Sequence, residues 1–285
     1  MNIMTRQQKK TLKMALSYLV IVLIGCLLLF PIAWMISCAF KTNEEIFGSI
    51  ALLPKSFSIQ NFVDGWKSAG SYTYLTYFLN SFALVMPTTV LTIASSALVA
   101  YGFARFEFPF KKQLFALLIA TLMLPNSVII IPRYVLFNKF GWVDSYMPWW
   151  VPAILACYPF FIYQLIQFMR SIPRDLDESA YIDGCSTFRV FWQILLPLMK
   201  SSLFSAGLFQ FLWTYNDYFN SLIFINSVKK YTVSLALRLS VDAESVVVWG
   251  RVMAMACVAV LPLVLLFFAA QKYFVEGIAT SGLKG

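Results

Sequence analysis

Carboxylates are scarce in this chain of 285 residues, thirteen in all, and four of them (Asp175, Asp177, Glu178, Asp183) crowd one polar stretch between Arg170 and Lys200. A further one, Asp217, stands alone in an apolar block. Such groups can do acid–base work, hold a metal or present hydrogen bonds. The chain contains no histidine, so the commonest metal ligand and the side chain best suited to carry protons near neutral pH are both missing. The five cysteines (Cys26, Cys38, Cys157, Cys185, Cys257) fall mostly in apolar segments without pairwise metal spacing, and read as small buried hydrophobes rather than a disulfide framework. None of the twelve glycines belongs to a G-x-x-x-x-G-K-[ST] loop that would cradle phosphates. No metal site, resident cofactor or catalytic residue is therefore expected, and the carboxylates are left with docking and hydrogen bonding.

The elements that must position them are membrane helices. Apolar residues make up 60% of the chain and charged residues 12%, against roughly 45–50% and about 25% in soluble domains. The apolar residues come in long blocks, and a spanning helix needs about 20 such residues, so helices are implied rather than a barrel. The blocks run at 15–38, 79–104, 113–133, 147–169, 203–225 and 252–274. The fold class expected is an all-α integral membrane protein with six transmembrane helices, a single domain over 1–285 with one long polar loop at 170–202. The first block is too long for a signal-peptide core and lacks a small-residue cleavage site, so it reads as a retained span.

Six spans put both termini on one side. Arg6, Lys9, Lys10, Lys13, Arg105, Lys111, Lys112, Arg170, Arg174, Arg189, Lys200, Lys272 and Lys284 flank the spans on that side, which the positive-inside rule makes cytoplasmic. Lys41, Lys55, Lys67, Arg133, Lys139, Lys229, Lys230, Arg238 and Arg251 are assigned to the opposite loops. The net charge of +9 is thus dispersed, and no nucleic-acid partner is implied. Prolines 31, 87, 125, 132, 148, 152, 159 and 262 lie in or beside spans, where broken helices would suit a moving bundle and a plain excess of membrane proline is the alternative.

The polar loop reads as two short helices and a hinge. Pro173 suits a first helical position, Asp175, Asp177 and Glu178 suit the positive end of a helix dipole, and Gly184 supplies the stop. Ala180 and Tyr181 are expected on the exposed face, the form a helix takes when it enters a partner's groove. Ser186 can cap the second helix, Thr187 to Leu196, whose Phe188, Phe191, Trp192 and Leu195 form one apolar stripe and which Pro197 ends. In the fifth block Gln210, Trp213, Asp217 and Asn220 recur at helical spacing. Asp217 is the one acid inside an expected span, where a charge costs about 2.5–3.5 kcal/mol even on the lenient insertion scale. The face offers either hydrogen bonds and an aromatic platform for a sugar, or an interhelical fastening.

Glu178-Ser179-Ala180, three residues, Gly184, nine residues, then Ile194-Leu195-Leu196-Pro197 resembles the EAA loop of binding-protein-dependent ABC importer permeases, with Ser179 in place of the first alanine. Leu53-Pro54, Ala100 to Phe106, Met123-Leu124-Pro125, Trp213 to Asp217 and the tail from Gly277 to Gly285 extend the resemblance along most of the chain, toward the carbohydrate-uptake, maltose-type branch. The resemblance implies a permease that pairs with a second, homologous permease as a heterodimer, two ATPase subunits that bind ATP and Mg, an extracytoplasmic solute-binding protein and a sugar as cargo, in a bacterial inner membrane. Glu178, Ser179, Ala180, Asp183, Gly184, Ile194, Leu196 and Pro197 would couple to the ATPase, and Gly282, Lys284 and Gly285 would reach it from the carboxyl end. An ion-coupled carrier would want more intramembrane charge than one acid and no histidine, and a membrane-embedded enzyme would want a cluster this sequence lacks. A permease of the same family for a non-sugar solute such as glycerol phosphate is the alternative cargo reading.

Overall fold

In lipid every backbone polar group must be satisfied within its own segment, and the apolar blocks accordingly form helices. The structure, a computed structural model, describes residues 6–55, 57–67, 72–242 and 247–282. In chain order the helices are α1 (Arg6–Cys38), α2 (Asn43–Gly48), α3 (Gln60–Lys67), α4 (Tyr74–Arg105), α5 (Lys111–Leu122), α6 (Asn126–Lys139), α7 (Met147–Ile154) and α8 (Pro159–Arg170). They continue with α9 (Asp175–Ile182), α10 (Thr187–Leu198), α11 (Lys200–Tyr215), α12 (Tyr218–Phe224), α13 (Val233–Asp242) and α14 (Trp249–Gly282). Four stretches are long and apolar enough to cross a membrane, Leu12–Cys38, Tyr74–Arg105, Met147–Arg170 and Trp249–Gln271, and two bent helix pairs bring the number to six if each is one span.

The bends correct the expectation of continuous spans. The third block breaks by 104° between α5 and α6, at Met123-Leu124-Pro125, where proline lacks an N–H and drives the residue before it out of helical geometry. α6 then runs on to Lys139, which carries Arg133 inside a helix rather than into a loop. The fifth block breaks at Asn216-Asp217, where no proline stands. Pro31, Pro87 and Pro262 sit inside helices that stay whole.

By internal contacts the chain divides into two compact units, Met1–Ala69 with Ser240–Val260 and Gly70–Leu239 with Leu261–Gly285. In the first, Asn61 Nδ2 donates to the carbonyls of Ala39 (3.0 Å) and Lys41 (2.9 Å). Gly250 packs so closely there that a Cβ would lie 2.4 Å from Asn61 Nδ2. The second unit is organised around α4. Its small and hydroxylated residues Thr88, Thr92, Ser96, Ala97, Ala100 and Ala104 are buried, and such residues let membrane helices approach closely. α7, α8 and α11 pack on it, and Ser95 Oγ donates to the Ala153 carbonyl at 2.6 Å.

At the other end of this unit Asp144 ties two connections together. Its backbone is left-handed (φ 58°), and its carboxylate accepts from the backbone N–H of Asn226 (3.0 Å) and of Ser227 (2.8 Å) and from Lys230 Nζ (3.1 Å). Burial pushes this carboxyl up, but the bonds from Ser227, Lys230 and Asn226 outweigh it and hold the pKa down at about 2. A depressed carboxylate stabilises the fold above its ordinary value near 4 and stops doing so as pH falls through the folded value. Protection factors for hydrogen exchange at Asn226 and Ser227, taken against the intrinsic rate at each pH, should therefore hold down to about pH 4 and fall between about pH 4 and 2, and Asp144→Ala should lower them at every pH above that range.

Candidate functional site

The polar loop is built much as its residues dictate. α9 starts at Asp175 with Asp175, Asp177 and Glu178 in its first turn, where carboxylates face the positive end of the dipole. Pro173 lies two residues ahead of that start rather than at the first helical position. Gly184, at φ +81°, ends the helix with paired bonds, Cys185 N–H to the Ala180 carbonyl (2.9 Å) and Gly184 N–H to the Tyr181 carbonyl (3.1 Å). That is the Schellman arrangement, and its left-handed residue is best supplied by glycine. Ser186 caps α10, its Oγ accepting from Arg189 N–H at 3.4 Å.

Two expectations about faces fail. Ala180 is buried with Asp177, while Glu178, Ser179, Tyr181, Ile182 and Asp183 are exposed. In α10 the stripe splits: Phe191 is 3% and Leu195 0% exposed, against 67% for Phe188 and 61% for Trp192. The cause is winding. Val190–Leu195 is a π-helix, in which Leu196 N–H bonds the Phe191 carbonyl five residues back, and residues that a 3.6-residue turn would align fall on different sides. Pro197 does not end this helix, which runs to Leu198 before the 76° bend into α11. With no N–H to offer and a ring that crowds the carbonyl four residues back, Pro197 favours the wider turn ahead of it. Ile194 and Leu196 pack at the edge of the buried cluster. Phe188 and Trp192 stack with centroids 6.2 Å apart on the wall of an apolar groove of about 770 Å³ that Met86, Val90, Leu203 and Phe211 also line.

The loop is pinned to the end of α4. Arg105 Nε lies 2.7 Å from Asp177 Oδ2, with the two side chains 5% and 9% exposed, but without the alignment of a hydrogen bond. The contact is one of charge. Burial pushes the Asp177 carboxyl above its ordinary value, while the Arg105 and Arg174 guanidiniums pull it back. Arg105 Nη2 donates to the Ile172 carbonyl (3.1 Å), Arg174 Nη2 to that of Ala104 (3.3 Å) and Tyr101 Oη to that of Thr187 (3.0 Å). The Tyr101 and Phe191 rings lie 4.9 Å apart. Sequence reasoning missed this pair: Arg105 counted as a flanking charge and Asp177 as a dipole acid.

The intramembrane residues separate. Gln210 is buried and donates to Thr214 Oγ1 at 3.1 Å. Trp213 is half exposed among Phe160, Phe161 and Phe209. Asp217 caps α12, accepting from Asn220 N–H at 3.1 Å and from Asn220 Nδ2 at 2.8 and 2.9 Å, and from Trp149 Nε1 at 3.2 Å. Asn220 Oδ1 in turn accepts from Arg133 Nη2, which also reaches Asn126 Oδ1 at 3.2 Å. Asp217, Asn220 and Arg133 thus bind one another across α6 and α12, and the bend that carried Arg133 into a helix was not readable from its assignment to a loop. Among the described residues no group of acids and cysteines could hold a metal ion. Gly282 ends α14, and Lys284 and Gly285 lie outside the described residues.

Residues 93–280 match the family described as binding-protein-dependent transport system inner membrane component. A probable ABC transporter permease protein, YurM of Bacillus subtilis, is 34% identical over 256 residues, which cover 90% of this chain and 84% of that protein. The trehalose/maltose transport system permease protein MalG of Thermococcus litoralis is 29% identical over 278 residues, 98% of this chain and 99% of its own. The arabinooligosaccharides transport system permease protein AraQ of Bacillus subtilis is 30% identical over 268 residues, 92% of this chain and 93% of its own. A chain in the crystal structure of a bacterial ABC transporter involved in the import of the acidic polysaccharide alginate shares the fold, with a TM-score of 0.81 at 16% identity over 96% of this chain and 100% of that one.

Removing one charge from the Arg133–Asn220–Asp217 chain strands the other in a low-dielectric site. Arg133→Met alone and Asp217→Asn alone should each lower thermal stability in detergent by about 2 kcal/mol or more, and the double variant should recover at least half of the summed loss. Additive losses would mean that the two charges do not compensate each other.

Proposed function

This chain belongs to the family of binding-protein-dependent transport system inner membrane components, and from that premise we propose that it is one permease half of an importer that carries a sugar, most suitably an oligosaccharide, by alternating access. As a member of that family it is a multi-pass, non-catalytic membrane subunit, and ATP hydrolysis belongs to separate subunits. The proposed assembly adds a second, homologous permease, two ATPase subunits that bind ATP and Mg, and an extracytoplasmic solute-binding protein, with both termini of this chain in the cytoplasm of a bacterium. Relatives named for trehalose/maltose and arabinooligosaccharide transport support the sugar.

One observation carries the coupling role. α9 holds Glu178, Ser179, Tyr181, Ile182 and Asp183 outward, with Ile182 87% exposed, on a polar loop where an apolar side chain gains nothing from water. A short helix that shows acids and an apolar knob together suits a groove on a partner. Docking of Glu178 to Asp183 in a cleft of one ATPase, with Gly184 fixing the helix end and α10 through Ile194, Leu196 and Pro197 leading into α11, would pass displacement of the ATPase into the bundle. The tail at Gly282, Lys284 and Gly285 is a second proposed contact. On the substrate path Trp213 keeps an open aromatic face, while Gln210, Asp217 and Asn220 are engaged with protein groups and would shape the path without offering free hydrogen bonds.

In the assembled transporter, Asp183→Cys, joined by a bifunctional thiol reagent, should cross-link to cysteines placed in the ATPase cleft and not to distant ones. This position is better placed than Cys185, which is partly buried against the core. Glu178→Arg should reduce uptake about tenfold while the complex still assembles. Uptake of a radiolabelled trisaccharide should stop on ATP depletion and survive collapse of the ion gradients; the opposite pattern would point to an ion-coupled carrier.

A further inference from the structure

We propose that Arg105 and Asp177 are positioning residues that lock the polar loop to α4, so that a push on α9 moves α4 as well as the two helices the loop joins. The inference rests on the docking reading above and adds the route that the force takes. Two of the three acids in the first turn of α9 divide the work: Glu178 faces outward, and Asp177, its neighbour, faces inward to Arg105 at 2.7 Å.

Stability alone does not account for such a pair. Taking a guanidinium and a carboxylate out of water costs several kcal/mol per ion, and apolar residues of similar volume often serve equally well or better. A charge pair gives direction instead. Here it is one of several attachments, and they fall on both sides of Gly184. Ile172, Arg174 and Asp177 bind α4 ahead of it, and Thr187 and Phe191 bind Tyr101 of α4 after it. With α9 and α10 fixed to the same few residues of α4, Gly184 is a rigid corner and not a hinge. α4 is also the helix on which α7, α8 and α11 pack, so it can distribute the displacement to the unit.

The test uses the complete transporter carrying Asp183→Cys, reading three quantities: the cross-link to the ATPase cleft, thermal stability, and radiolabelled trisaccharide imported per ATP hydrolysed. D177N should keep the cross-link while import per ATP falls about fivefold or more, the lower end of common coupling energies. The pair R105M/D177L should regain assembly and stability, and should keep the coupling defect. If D177N couples like the parent, or if R105M/D177L regains coupling together with stability, the pair is only packing and the proposal fails. Should D177N not assemble, R105M/D177L decides alone. Absence of the cross-link in the parent would overturn the docking reading, and the positioning role with it.

Discussion

A guanidinium at the last residue of α4 meets a carboxylate in the first turn of α9, and both are shut away from water. Neither charge is tolerable there without the other. Asp177 cannot leave without stranding Arg105, Arg105 also holds the Ile172 carbonyl, and Arg174 next to that segment returns a bond to Ala104. Together with the Ile172, Arg174 and Thr187 attachments, the contact holds α9 against α4 and leaves its other face outward. The outward surface of Glu178, Ser179 and Asp183 is a consequence of what is fastened inward.

The same economy of charge governs the membrane half. Asp217 and Arg133 are joined through Asn220 where two interrupted segments, α6 after its bend and α12 after its break, come together. Each break leaves backbone groups that lipid cannot satisfy, and Asp217 answers one of them as a cap. The break at Asn216-Asp217 stands where a side chain serves a freed group, and α1, α4 and α14 keep their prolines without breaking.

What was legible in the sequence was local or periodic. The apolar blocks that became the four long spans follow from composition, the stop at Gly184 and the cap at Ser186 depend on residues within one turn of one another, and these stand where they were expected, while the third and fifth blocks are broken. Ala180 could not be placed, because its burial depends on how α9 packs against Val190–Leu195 and the cluster they share, which no local pattern in α9 reveals. The stripe of Phe188, Phe191, Trp192 and Leu195 was drawn on a 3.6-residue turn, and the π-winding of Val190–Leu195 divided it. Arg133 read as a loop charge because the third block's expected end falls at residue 133, whereas Pro125, eight residues earlier, breaks the block and α6 continues past that end to Lys139. Arg105 and Asp177 carried ordinary local explanations, and nothing in a single sequence pairs two residues so far apart.

If loop and helix are one body, their separation must not change while the transporter cycles. Spin labels at the exposed positions Glu107→Cys, beside the end of α4, and Ser179→Cys, on α9, in the assembled transporter give that separation with and without bound nucleotide. The account requires the two distance distributions to coincide while transport proceeds. A shift of several ångström on nucleotide binding would show α9 swinging free of α4 and would contradict it.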